Sequence, residues 1–171
     1  LQYLDGFTET ALYFTLDATA KIWILSSRGV ERLTIDFAQN KVVPELIIEQ
    51  SASHRIYSLT HLQKQVLITS DNHCLLVDTN GIISTDTQLL NQLSGNHRYL
   101  NVEEDTQHNI WYIYDNRVSV RPYDPQSQSY HNEQILRYSA SQFIGGFTNL
   151  TPSSKGGVIV GGVDGFYYMQ A

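Results

Sequence analysis

A single cysteine, Cys74, stands in 171 residues, so no intrachain disulfide is available to hold the fold. It opens the apolar run Cys74-Leu75-Leu76-Val77. That is the setting of a buried packing residue, whereas a reactive thiol needs an electropositive, exposed site. Charge is also scarce. Charged residues make up 16% of the chain, and 11 Lys and Arg against 17 Asp and Glu leave a net charge of −6 with no basic cluster. A nucleic-acid footprint is therefore not expected. No apolar run approaches the roughly 18 residues needed to span a bilayer, so no membrane contact is expected of this segment. No secretory signal pattern is present. A chain opening at Leu1 is expected to be a mature product or an excised segment, so that lack carries no reading of compartment.

Chemistry-bearing motifs are missing too. The histidines His54, His61, His73, His97, His108 and His131 are scattered. They have no paired helical spacing and no cysteine companions, whereas a zinc site needs three or four convergent ligands. They read as solvated turn residues. There is no Gly-x-Ser-x-Gly elbow and no phosphate loop. Glu103-Glu104-Asp105 is the densest acidic group. Neighbours on one strand point to opposite faces, so one local cluster does not supply the opposed carboxylate pair of glycoside hydrolysis. The expectation is a segment without catalysis, metal or cofactor.

What is abundant is strand-forming material. Hydrophobic residues reach 42%, with 11 tyrosines and 6 phenylalanines. Such a composition favours a folded, strand-rich chain long enough for a sizeable core. The chain also repeats itself. DATAKIWILSSRGVERL, HLQKQVLITSDNHCLLV, DTQHNIWYIYDNRVSVR and SSKGGVIVGGVDGFYYM begin at Asp17, His61, Asp105 and Ser153, at spacings of 44, 44 and 48. They align without gaps as polar turn, apolar run, polar turn and apolar run. ALYFTL, RIYSLT, YLNVEE and FTNLTP precede them at matching offsets, and PELIIEQ (44–50), TQLLNQL (87–93) and NEQILRY (132–138) close the first three.

Each repeat thus reads as four short strands, a to d. A period of 40 to 50 residues with four strands is the pattern of propeller blades. Strand b supports this, because Ile22-Trp23-Ile24-Leu25 and Ile110-Trp111-Tyr112-Ile113 are apolar on both faces, as a strand sandwiched between neighbouring sheets must be. The expected fold is all-β: a β-propeller segment of four four-stranded blades, approximately 8–51, 52–95, 96–143 and 144–171, after an orphan outer strand at 1–7. Strand b is expected at 22–25, 66–69, 110–113 and 158–161. Trp23 and Trp111 are expected to be buried between blades. PYDPQSQSY (122–130) reads as a longer hairpin joining c and d in the third repeat. Gly156-Gly157 and Gly161-Gly162 read as turn and close-packing glycines.

LDATAKIWILSSRGVERL (16–33) resembles the two-component regulator propeller repeat, with its acidic residue, short turn, hydrophobic-Trp pair and lead into strand c. EEDTQHNIWYIYDNRVSVR (103–121) is similar, and GGVIVGGVDGFYYM (156–169) resembles a late repeat. The chain departs from the pattern in having no clean Gly-Leu, and the second repeat has Gln-Val-Leu in place of the Trp. The resemblance implies a bacterial, periplasmic or extracytoplasmic propeller that senses a ligand without catalysis and signals to a histidine kinase or other output domain. Two alternatives stay open: a propeller for protein–protein interaction, and a carbohydrate-active propeller enzyme.

Propeller geometry places the d–a and b–c loops on one face. Glu9, Arg28, His54, His73, His97, Arg98, Arg117 and Asp164 fall there, and this set forms the expected ligand-binding face for a small molecule or an oligosaccharide. Sheet edges need management as well. The fourth repeat reads as lacking strand d, and Leu1–Asp5 reads as a d strand without its own blade. Pairing of Leu1–Asp5 with Phe166–Gln170 is expected, within one chain, between two chains as a homodimer, or as the trace of a larger ring.

Overall fold

A computed structural model describes residues 6–51, 55–63, 65–70, 74–84, 88–93, 101–114, 117–136, 149–162 and 165–171. The chain divides into two compact units, residues 1–86 and 87–171. In the first unit, β1 (Tyr13–Leu16), β2 (Ile22–Leu25), β3 (Gly29–Asp36) and β4 (Lys41–Glu49) form one antiparallel sheet in sequence order. β5 (Ile56–Leu62), β6 (Gln65–Ser70), β7 (Cys74–Asp78) and β8 (Ile83–Ser84) form a second sheet of the same order. The second unit opens with a short helix, α1 (Gln88–Leu93). The third sheet follows with β9 (Asn101–Glu104), β10 (Ile110–Tyr114) and β11 (Arg117–Arg121). A separate two-stranded hairpin, β12 (Tyr123–Asp124) with β13 (Ser129–Tyr130), precedes the sheet's outer strand β14 (Gln134–Leu136). The fourth sheet has three strands, β15 (Leu150–Pro152), β16 (Val158–Gly162) and β17 (Gly165–Met169). The b strands β2, β6, β10 and β16 lie where the repeat puts them.

The physical reason for the repeat is the core. Trp23, Leu25 and Val30 of the first sheet pack against Ile56, Leu59, Val66, Ile68 and Val77 of the second. In the second unit Trp111, Ile113, Val118 and Val120 pack against Leu150, Val158, Val160 and Met169 of the fourth sheet. Both indoles are fully buried. A buried indole removes roughly 200 Å² from water, worth up to about 5 kcal/mol. The two tryptophans are thus inter-sheet anchors and not exposed stacking platforms.

The acidic residue of the repeat is tied to that indole. Asp17 Oδ1 accepts the amides of Thr19 and Lys21, which shapes the a–b turn, and its Oδ2 accepts Trp23 Nε1–H at 2.9 Å. Asp105 does the same with Gln107, Asn109 and, at 2.8 Å, Trp111 Nε1–H. It also accepts the amide of Gly157 from the fourth sheet at 3.0 Å. Gly157 allows that approach: it has φ +68, and a Cβ there would stand 2.0 Å from the carbonyl oxygen of Met169.

Two readings change. Residues 87–93 were expected to be strand d of the second repeat, but 88–93 are helical. QLLNQL contains no β-branched residue, and Leu90 and Leu93, three apart, are both buried on one helical face. The outer strand of the second sheet is instead the two-residue β8, where Ile83 pairs with Val77 and Ser84 with Leu76. The fourth sheet has three strands among the described residues and ends at strand c, in line with a fourth repeat that lacks strand d. His61 is not a solvated turn residue. It lies in β5 opposite Val66, half-buried, with Nε2 buried and without a hydrogen bond among the described residues. It occupies the position of Asp17 and Asp105, but Leu67 stands where the indole would be. Residues 1–5, and with them the pairing expected of Leu1–Asp5, lie outside the described residues.

The first and fourth sheets carry the most exposed aromatic side chains of the described strands. Phe14 is 75% exposed on the first sheet, and Phe166 is 84% exposed on the fourth. Cys74 is buried, and desolvation pushes its thiol up to about 11. Ellman's reagent at pH 8 is therefore expected to titrate no thiol in the native chain and one after denaturation in urea. Rapid native labelling would contradict the packing assigned to β7.

Candidate functional site

In each antiparallel sheet the a–b and c–d turns share one end and the b–c turn lies at the other. At the b–c end of the first sheet the turn Ser26–Gly29 is closed by reciprocal backbone bonds between Ser26 and Gly29. Gly29 has φ +139, and a Cβ on it would collide with the Ile48 carbonyl 2.0 Å away, so the turn sits tight on β4. Ser26 Oγ donates to Glu31 Oε2 at 2.8 Å, and Ser27 Oγ donates to Glu9 Oε2 at 2.6 Å. Arg28 lies 3.5 Å from Glu31 Oε1, with the arginine side chain 54% exposed and the glutamate 1% exposed.

The structure thus brings two of the expected face residues, Glu9 and Arg28, to one turn. Glu31 pairs with the guanidinium as an ion pair, and the arginine side chain remains just over half exposed. Five donors in a planar fork suit a carboxylate, a phosphate or a row of hydroxyls. Glu31 and the serines were missed by the sequence reading. The available signal was the charged pair Glu31-Arg32 between Val30 and Leu33 of strand c.

Arg117, a third expected residue, is exposed at the first position of β11, paired in register with Tyr114. Tyr114 is buried. Its ring stacks on Tyr112 with centroids 5.8 Å apart, and its hydroxyl donates to Glu133 Oε1 at 2.7 Å. Burial and then the Glu133 carboxylate hold the Tyr114 phenol above its ordinary range. Burial alone would raise Glu133, but hydrogen bonds led by that from Tyr114 bring it below the usual carboxylate range. His54, His73, His97, Arg98 and Asp164 lie outside the described residues. Among the described residues no group of three or more His, Cys, Asp and Glu side chains is placed to hold a metal ion. No helix among them is long and apolar enough to cross a membrane.

No family model matches the chain, and no curated protein matches it in sequence. Solved structures do match in fold. The extracellular domain of a hybrid two-component system from Bacteroides thetaiotaomicron superposes with a TM-score of 0.62 at 14% identity, over 96% of this chain and 20% of that one. Virginiamycin B lyase from Staphylococcus aureus superposes with 0.54 at 13% identity, over 99% of this chain and 59% of that one. An auxiliary nutrient binding protein from Bacteroides thetaiotaomicron gives 0.58 at 13% identity, over 89% and 36%. The chain therefore spans between a fifth and three fifths of these structures. At such identities the likeness is one of fold: the protein is an all-β chain of small antiparallel sheets, like those of propeller proteins.

Proposed function

We propose that this chain is a ligand-sensing segment of an extracytoplasmic propeller in a bacterial signalling receptor. It takes a small polar ligand on the face made by its d–a and b–c turns, and it is not catalytic. The observation that carries the reading is the Arg28 turn, where a half-exposed guanidinium is seated on a buried carboxylate beside Glu9 and Ser27. Likeness in fold to an extracellular domain of a two-component system and to nutrient-binding proteins supports it. The test is a thermal-shift screen of the chain against sugars, oligosaccharides, amino acids and organic acids, followed by titration of the hit. Arg28→Lys keeps a positive charge over Glu31 but loses the fork. It is expected to weaken the hit about tenfold, as loss of a charge-assisted bidentate contact does, while leaving the unfolding midpoint in place. Unchanged affinity would remove the turn from the site.

Likeness to the lyases favours a second reading, an enzyme. Incubation with quinupristin, the compound present in one of the lyase structures, separates the two: conversion by the chain would establish catalysis.

A further inference from the structure

Among the described residues the third repeat carries an element seen in no other repeat, the β12–β13 hairpin, at the end of its sheet opposite the b–c turn. It adds nothing to the third sheet's ladder, which runs from β11 directly to β14. What it does add is aromatic surface. Tyr123 and Tyr130 are cross-strand partners, so their rings project on one side, with centroids 5.3 Å apart and planes tilted by 56°. Both are half-buried. The His108 ring stands edge-on to Tyr123 at 5.7 Å.

The hairpin is held in place from the a–b turn. Asn109 Oδ1 accepts the Tyr123 amide at 2.8 Å, and Asn109 is itself anchored to Asp105. The histidine is placed at a conformational cost. It has φ +65, in the turn position where the first repeat has Ala20 and the fourth Gly156, and a left-handed residue other than glycine costs about 1 kcal/mol. Glu104 Oε1 accepts its Nδ1–H at 2.5 Å and fixes the ring, while the side chain remains 53% exposed.

We infer that the Tyr123–Tyr130 hairpin and the His108–Glu104 pair form a second binding site, for a pyranose ring of a neutral oligosaccharide. The chemistry is complementary. Tilted tyrosine faces accept the apolar C–H face of a sugar, and tyrosine is a rigid ring with a polar tip. His108 Nε2 and the Tyr123 hydroxyl supply hydrogen-bonding groups for ring hydroxyls at the rim. Arg28 belongs to the other compact unit.

The experiment titrates the chain with cellohexaose, maltohexaose, xylohexaose and mannohexaose by calorimetry. At least one is expected to bind, with Tyr130→Ala weakening it tenfold or more and His108→Gly about threefold. His108→Gly suits the left-handed position and keeps the turn. Arg28→Lys is expected to change nothing here, which separates this site from the b–c turn. Circular dichroism and the unfolding midpoint show whether each variant is folded. Tyr123→Phe, which keeps the ring and loses the hydroxyl, is expected to weaken binding threefold to fivefold without touching the packing. Failure of all four hexasaccharides to bind, or equal binding by wild type, Tyr130→Ala and Tyr123→Phe, overturns the assignment.

Discussion

Asp105→Ala is expected to destabilise the protein by about 4 kcal/mol, and Asp17→Ala by about half as much, although the two residues hold the same place in the repeat. Each carboxylate shapes its a–b turn and takes an indole N–H, so both variants leave a buried tryptophan donor without an acceptor. A buried donor left unsatisfied costs roughly 1–3 kcal/mol. Asp105 additionally serves the Gly157 amide of the fourth sheet and the Asn109 side chain, both buried. Its loss therefore orphans more groups and cuts a bond between sheets. Burial alone would raise both carboxyls. The hydrogen bonds they accept outweigh it and hold both below the usual carboxylate range. A depressed carboxyl stabilises the fold above its unfolded value of 3.8 and loses that contribution as pH falls through the lower folded value. Urea unfolding of the two variants at pH 7 measures the difference. Equal losses would show that the bond to Gly157 carries no stability.

Those same residues show how far the sequence could be read. The repeat located Asp17, Asp105, Trp23 and Trp111 correctly, because periodicity is local information and survives without side-chain geometry. It assigned the aspartates to turns and the tryptophans to packing as separate matters. That Oδ2 of one accepts Nε1–H of the other is a statement about rotamers and twist, which spacing alone does not carry. The second repeat shows the pairing by its loss, since Leu67 replaces the indole and His61 keeps a buried nitrogen without a hydrogen bond among the described residues. TQLLNQL was misread because register continuity was given more weight than local propensity. Three leucines without a β-branched neighbour coil readily when no ladder claims them.

The candidate site was legible only in part. Loop position brought Glu9 and Arg28 to attention, and the structure places them beside one turn. The residues that fix them, Ser27 and Glu31, were passed over. A carboxylate in strand c is visible in sequence, but its pairing is not. The Tyr123–Tyr130 hairpin was recognised as a longer connection with no role, because the nearness of its rings to His108 depends on how the c–d and a–b turns meet at one end of the sheet.

Glu103 is expected to make stability fall as pH rises through the neutral range. It lies on β9 opposite Trp111 in register, and so on the face that the third sheet turns to the fourth. Two residues away Asn101 Nδ2 donates to Asn149 Oδ1 at 2.6 Å, which ties the inner strands of these sheets together. Glu104 points to the other side and is taken up by His108, so it offers Glu103 nothing. Desolvation pushes the Glu103 carboxyl from 4.5 up to about 7. The folded chain then keeps a proton that the unfolded chain releases near 4.5. Between those values the native state binds more protons, and stability declines across that window to a lower plateau above it. The full shift corresponds to at most about 3 kcal/mol. Glu103→Gln keeps the shape without the ionisation. It is expected to be about 2–3 kcal/mol more stable than wild type at pH 8 and nearly equal to it at pH 4.5. The measurement is urea unfolding of both proteins at half-unit intervals over that range, with the difference between the two curves isolating residue 103 from the histidines. A difference that stays flat with pH would place the carboxylate in water and not in the seam between the third and fourth sheets.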